Sequence, residues 1–234
     1  MSSIYKDLSE AACSGKKLLS VLIDPDKFED RSAEIFLLNL PESVTHIFVG
    51  GSTVEINKTQ ATVEAIKAKT GLPVILFPGD HSQITESADA ILFLSLISGR
   101  NPEFLIEQQV KSVSQLRNSK LEIIPTGYIL IEGENKSAVQ SVSNTKPIPQ
   151  SNVESIVDTA LAGQFSGKKL IYLEAGSGAQ ISVSEEIISA VKEAINIPLI
   201  VGGGIRSKQQ LRRSYEAGAD MAVIGTVFEK GEFL

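Results

Sequence analysis

Short apolar runs recur along this chain, and most stop at glycine or at a polar turn. Leu18–Ile23 comes first and is closed by Asp24-Pro25-Asp26-Lys27. His46–Val49 runs into Gly50-Gly51-Ser52-Thr53, and Pro73–Phe77 into Pro78-Gly79. Ala90–Ser95 and Leu121–Tyr128 follow. Lys169–Glu174 then ends in Ala175-Gly176-Ser177-Gly178, Ile197–Val201 in Gly202-Gly203-Gly204, and Ala219–Ile224 in Gly225-Thr226. Apolar runs without strict alternation are the pattern of parallel strands buried on both faces.

Helical spacing fills the intervals. Ile4–Ala12 leads, then Phe28–Leu40, Val54–Lys69, Phe104–Arg117 behind the start signal Asn101-Pro102, and Ser151–Gln164. Ser182-Val183-Ser184-Glu185 resembles a capping box, and Ser207 is a plausible N-cap for Gln210, Leu211 and Tyr215. An eighth helix begins at Phe228–Leu234. Two intervals break the rhythm. Pro78–Asp89 is short for a crossover, which needs about a dozen residues including its helix. The third helix is therefore expected to be short or missing. Asn135–Gln150 is too long for a bare loop, so it is expected to carry helical pieces or to flex over the site.

Regular β-α alternation over eight units predicts a parallel sheet closed on itself, an α/β fold of the (β/α)8 TIM-barrel type, modified at helix three. A doubly wound open sheet is the alternative. With no linker and no low-complexity segment, residues 1–234 read as one domain.

Composition narrows the partners. The 234 residues are 42% hydrophobic and carry a net charge of -6, which argues against a nucleic-acid partner and against polybasic membrane attachment. No 18-residue apolar run predicts a transmembrane helix, and the N-terminus lacks a signal-peptide pattern. The single cysteine, Cys13, excludes an internal disulfide and fits a cytoplasmic setting. It reads as a buried or half-buried bystander.

In barrels of this type the chemistry lies at the C-terminal ends of the strands. Strand one offers Asp24, with Asp26 and Lys27 behind it. Strand two offers Ser52 and Thr53, strand three Asp80 and His81. Strand four leads to Arg100 and Asn101, strand five offers Thr126 and Tyr128, and strand six Tyr172, Glu174 and Ser177. The last two strands offer glycine and backbone, at the place where such barrels build a phosphate site. Opposite them, the carboxylate and hydroxyls of strands one and two suit Mg²⁺. No His or Cys pair has zinc spacing, and there is no Walker loop or dinucleotide fingerprint. Asp24 could instead simply cap the helix that follows it. His81 reads as a loop residue, and His46 lies at the wrong end of its strand. Glu174 ends an apolar strand, where a desolvated carboxylate needs a partner.

Taken together, Leu22-Ile23-Asp24-Pro25-Asp26-Lys27, Val49-Gly50-Gly51-Ser52, Tyr172 through Gly178, Val201 through Arg206 and Ile224-Gly225-Thr226 resemble the geranylgeranylglyceryl phosphate synthase family. The resemblance covers nearly the whole chain. It implies a modified barrel without the third helix and a Mg²⁺-dependent prenyltransferase. The reaction it implies joins sn-glycerol 1-phosphate to geranylgeranyl diphosphate through an ether bond. Asp24 and Ser52 would be the Mg²⁺ positions. Tyr172, Leu173, Glu174, Ala175, Gly176, Ser177, Gly178, Gly203, Gly204, Gly225 and Thr226 would contact glycerol phosphate, with Glu174 as the catalytic group. Phe104 and Tyr128 are candidates to line the prenyl groove. Some members carry a lysine where this chain has Leu22; Lys27 or Arg100 could supply that contact. Family members are commonly homo-oligomers.

Three other readings stay open at this stage. The donor could be longer, as in a heptaprenylglyceryl phosphate synthase. The chain could be another phosphate-handling barrel, an isomerase or lyase of a small sugar phosphate. It could also be a non-enzymatic binder of a phosphate ligand.

Overall fold

A computed structural model describes residues 3–29 and 33–225. Eight parallel strands close into a barrel in sequence order: β1 (Leu18–Ile23), β2 (His46–Val49), β3 (Val74–Leu76), β4 (Ala90–Leu96), β5 (Glu122–Leu130), β6 (Leu170–Glu174), β7 (Leu199–Gly202) and β8 (Met221–Ile224), with β8 pairing back to β1. The helices are α1 (Ile4–Ser14), α2 (Ala33–Leu38), α3 (Lys58–Lys67), α4 (Gln108–Leu116), α5 (Ala138–Ser143), α6 (Val153–Phe165), α7 (Glu185–Ala194) and α8 (Lys208–Glu216).

Strand alternation sorts the core into layers. Phe48, Ile75, Leu92, Ile124, Tyr128, Leu170, Tyr172, Ile200 and Val223 point into the barrel. The residues between them, such as Val49, Ile91, Ile171, Leu173 and Val201, pack outward under the helices. Leu8 and Ala11 of α1 belong to the interior cluster, so the leading helix plugs the N-terminal end. Its first turn leaves N–H groups that the helix cannot satisfy. Glu122, at the start of β5, takes two of them: the N–H groups of Ile4 (2.6 Å) and Tyr5 (3.0 Å) donate to its carboxylate.

Pro125 sits inside β5 without breaking the sheet. Its carbonyl accepts from Lys169 N, just before β6 begins at Leu170. The N–H that proline lacks would point the same way, to a level where β6 has not yet started.

No helix joins β3 to β4 among the described residues, in agreement with the short interval. The long interval after β5 carries α5, capped by Ser137, whose hydroxyl accepts from Gln140 N. Several expectations change. Of the expected Phe28–Leu40 helix the described residues show Ala33–Leu38, beyond a turn in which Lys27 N donates to the Asp24 carbonyl. α3 begins at Lys58 rather than Val54, behind Asn57 at φ 69°. The Phe104–Arg117 helix opens as a π-helical turn, Glu103–Glu107, before α4. Ser184, not Ser182, caps α7, with Ile187 N donating to its hydroxyl. Cys13 is exposed, because α1 buries the face carrying Leu8 and Ala11 instead. The Ser207 cap is present. Phe228–Leu234 and Thr226 lie outside the described residues. No helix among the described residues is long and apolar enough to cross a membrane.

Candidate active site

The C-terminal ends of the strands surround an open mouth with a cavity volume of about 310 Å³. Leu22, Asp24, Lys27, Gly51, Ser52 and Thr53 line one side. Glu174, Ser177, Gly178, Gly203, Gly204, Arg206 and Gly225 line the other. Three aromatic rings make the floor, with a fourth packed against them. Phe77 stacks on Tyr172 with centroids 5.2 Å apart, and Tyr128 lies 5.4 Å from Tyr172. Phe48 lies beneath Phe77 at 6.1 Å.

Glu174 ends β6 and is only 5% exposed. The Gly176 N–H donates to its Oε1 at 2.7 Å. The buried Tyr172 hydroxyl lies close enough to favour the charged carboxylate, though not at good hydrogen-bond geometry. Burial outweighs both and pushes the Glu174 carboxyl up to about 7. Burial first, and Glu174 second, hold the Tyr128 and Tyr172 phenols well above their usual range. A carboxylate poised near neutrality can exchange a proton with a bound hydroxyl.

The β7 turn is shaped around this group. Gly203 has φ 82°, and a Cβ there would overlap Glu174 Oε1 and the Gly176 backbone. Arg206 fastens the β6 and β7 turns together, donating to the carbonyls of Gly178 (3.2 Å) and Ala179 (2.8 Å).

Across the mouth, Asp24 Oδ1 accepts from Asp26 N at 3.1 Å, and Asp24 Oδ2 pairs with Lys27 Nζ at 2.8 Å. Among the described residues Asp24 caps no helix: its side chain holds the turn that follows it, and the carboxylate faces the mouth. A Cβ on Gly51 would lie 3.4 Å from Asp24 Oδ1, so the β2 turn passes close beside the Asp24 carboxylate. Asp26 instead ties the two turns from outside by accepting from Glu55 N. No cluster of three His, Cys, Asp or Glu side chains among the described residues could hold a metal ion. A divalent cation at Asp24 and Ser52 would draw its other ligands from substrate phosphates and water, as Mg²⁺ commonly does.

A second cavity, of about 100 Å³, opens off the mouth towards the interval without a helix. It is mainly apolar, lined by Ile84, Ile91, Phe93, Leu94 and Phe104, with His81 and Gln108 at its rim. Gly51, Ser52, Phe77, Tyr128 and Val139 line both cavities. The groove exists because β4 runs past β3. Where β4 loses that neighbour, Gln109 Nε2 donates to the Leu94 carbonyl. His81 is no free loop residue, since its N–H and its ring both meet Gln108 Oε1.

Most of the expected positions converge here, with exceptions. Leu173 and Ala175 face the helical layer, because they alternate with Tyr172 and Glu174 along the strand and its extension. Their side chains do not reach the mouth. Of the two cations considered for the contact that a lysine at position 22 would supply, Lys27 lines the mouth. Arg100 donates to the carbonyls of Ile97 and Gly99 and borders a separate outer groove. Sequence reasoning did not single out Arg206, Val139 or Gln83 for the site. Arg206 had a signal, adjoining the glycine turn of β7. Val139 and Gln83 sit in irregular intervals and had none.

The PcrB family pattern matches residues 15–232. A geranylgeranylglyceryl phosphate synthase of Zunongwangia profunda is 60% identical over 233 residues, covering all of both chains. One from Flavobacterium johnsoniae is 50% identical over 98% of this chain and 95% of its own. The crystal structure of (S)-3-O-geranylgeranylglyceryl phosphate synthase from Thermoplasma acidophilum, in complex with its substrate sn-glycerol-1-phosphate, superposes with a TM-score of 0.90. It is 36% identical and covers 98% of this chain and 93% of its own.

Proposed function

The chain belongs to the PcrB family, and on that premise we propose that it is a geranylgeranylglyceryl phosphate synthase. The reaction joins sn-glycerol 1-phosphate to geranylgeranyl diphosphate through an ether bond and releases diphosphate. One observation carries this reading. A polar mouth containing a buried carboxylate opens directly into an apolar groove, with Gly51, Ser52, Phe77, Tyr128 and Val139 shared between them. A small phosphorylated alcohol fits the first compartment and an isoprenoid tail the second. An isomerase or lyase of a sugar phosphate has no use for the groove, and a mere phosphate binder has no use for Glu174.

The acceptor phosphate sits against the backbone of Gly203, Gly204 and Gly225, where glycine lets N–H groups approach an anion. This seating directs the 3-hydroxyl of glycerol towards Glu174. The hydroxyl oxygen attacks C1 of the allylic donor and the C1–O bond to diphosphate breaks. The proton passes to the Glu174 carboxylate. Holding both substrates across one mouth makes the step unimolecular in effect. Lys27 stands on the diphosphate side and offers positive charge to the leaving group. Asp24 and Ser52 would hold a Mg²⁺, which when bound supplies further charge neutralisation for the diphosphate. The aromatic floor keeps water from the allylic carbon, where it would give the free alcohol.

The test is incubation with labelled sn-glycerol 1-phosphate and prenyl diphosphates of graded length, with and without Mg²⁺. Ether product with the C20 donor and none with sn-glycerol 3-phosphate is the expected result. Preference for a C35 donor would reassign the chain to heptaprenylglyceryl phosphate synthesis. No product with any donor would end the proposal.

A further inference from the structure

The connection from β3 to β4 lacks a helix, and one side chain takes over part of the helix's bracing role. Gln83 is 2% exposed. Its Oε1 accepts from Gly51 N (3.3 Å) and Gly79 N (3.2 Å), and its Nε2 donates to Gly51 O (2.9 Å). The ladder between β2 and β3 ends with Phe77 N donating to Val49 O. Gln83 carries the bonding one step beyond it, into the turns. Those turns meet backbone to backbone. A Cβ on Gly50 would overlap the Phe77 carbonyl, and one on Gly79 would overlap the carbonyls of Gly51 and Ser52.

The position of this clasp matters because of what it holds. Gly51 and Ser52 line the mouth and the apolar groove alike, and Gly79 lines the groove. They form the sill over which a donor molecule must lie, its diphosphate on one side and its first isoprene units on the other. We propose that Gln83 is a positioning residue for the prenyl donor, fixing the Gly51–Ser52 turn against Gly79 so that the sill keeps the width the donor needs. This rests on the prenyltransferase reading above and adds a residue to it. Gln83 lines neither cavity, so it acts through the turn. The acceptor side of the mouth, at Gly203 and Gly225, is built by other strands and is independent of it.

Gln83→Leu removes all three hydrogen bonds, and Gln83→Glu keeps an acceptor but loses the donation to Gly51 O. For the leucine variant the KM for geranylgeranyl diphosphate is expected to rise about tenfold or more, with sn-glycerol 1-phosphate affinity by calorimetry held within about twofold. The glutamate variant is expected to fall between it and the wild type. Should the leucine variant not fold, the glutamate variant decides by the same split. Equal weakening of both substrates, or an unchanged donor KM, would overturn the assignment. Failure of the wild type to bind geranylgeranyl thiolodiphosphate, a non-transferable analogue, would instead overturn the prenyltransferase reading and this proposal with it.

Discussion

Glu174 Oε1 fills the space that a side chain on Gly203 would need. Glu174 ends β6 and Gly203 directly follows β7, with Glu174 paired to Gly202 in register. A left-handed glycine thus lets the β7 turn close over the buried carboxylate, which brings the proposed phosphate seat beside the proposed proton acceptor.

The Gly203→Ala variant tests that fit. Its Cβ is strained at φ 82° and collides with Glu174. Affinity for sn-glycerol 1-phosphate is expected to drop about tenfold or more, with about 1–3 kcal/mol of stability lost. Calorimetry and urea unfolding measure the two effects. Wild-type affinity would mean the turn relaxes without consequence.

Glu174→Gln removes the proposed proton acceptor and keeps the shape. Turnover is expected to fall about 10²–10⁴-fold. Stability should move the other way, with a definite sign. The folded carboxyl titrates at about 7, above its ordinary value of 4.5. Its protonated form therefore favours the folded state, an advantage complete below about pH 4.5 and lost as pH rises through 7. Relative to wild type, the glutamine variant should gain up to roughly 3 kcal/mol at pH 8 and little at pH 4. Parallel unfolding curves at the two pH values would refute the burial argument.

Asp24→Asn addresses the donor side. Turnover is expected to fall about 100-fold or more at every Mg²⁺ concentration, while sn-glycerol 1-phosphate still binds. Full activity with an unchanged Mg²⁺ dependence would remove Asp24 from the metal assignment.

Phe104 borders the groove and is a candidate limiter of its length. Phe104→Ala should let longer prenyl diphosphates react, read from the product profile across donors of graded length. A profile like that of the wild type places the limiter elsewhere.

At the far end, Leu8 is 2% exposed inside the barrel cluster. Leu8→Ala is expected to cost about 2–5 kcal/mol in denaturant unfolding with kcat unaltered. A matching loss of kcat would couple the plug to the mouth.

The periodicity of the chain was enough to place the eight strands, because runs such as Leu18–Ile23 and Leu170–Glu174 are buried on both faces and announce it locally. It also placed the missing helix, since a crossover has a minimum length. The polar residues at strand ends could be enumerated for the same reason. Asp24, Glu174 and Gly203 were legible because each stands where an apolar run stops. Leu173 and Ala175 were misplaced because motif membership says nothing about which way a side chain points.

What the linear pattern could not determine lies in the irregular intervals. Gln83 reads as an ordinary loop glutamine, and Val139 as one position in a polar connection. Their places depend on contacts across long sequence separations, such as Gln83 with Gly51 and Asn101 with the Ser143 carbonyl. Local periodicity encodes burial of an element's own face. It carries no record of which distant backbone groups a lone amide will satisfy once the barrel has closed, and only the tertiary structure decides that.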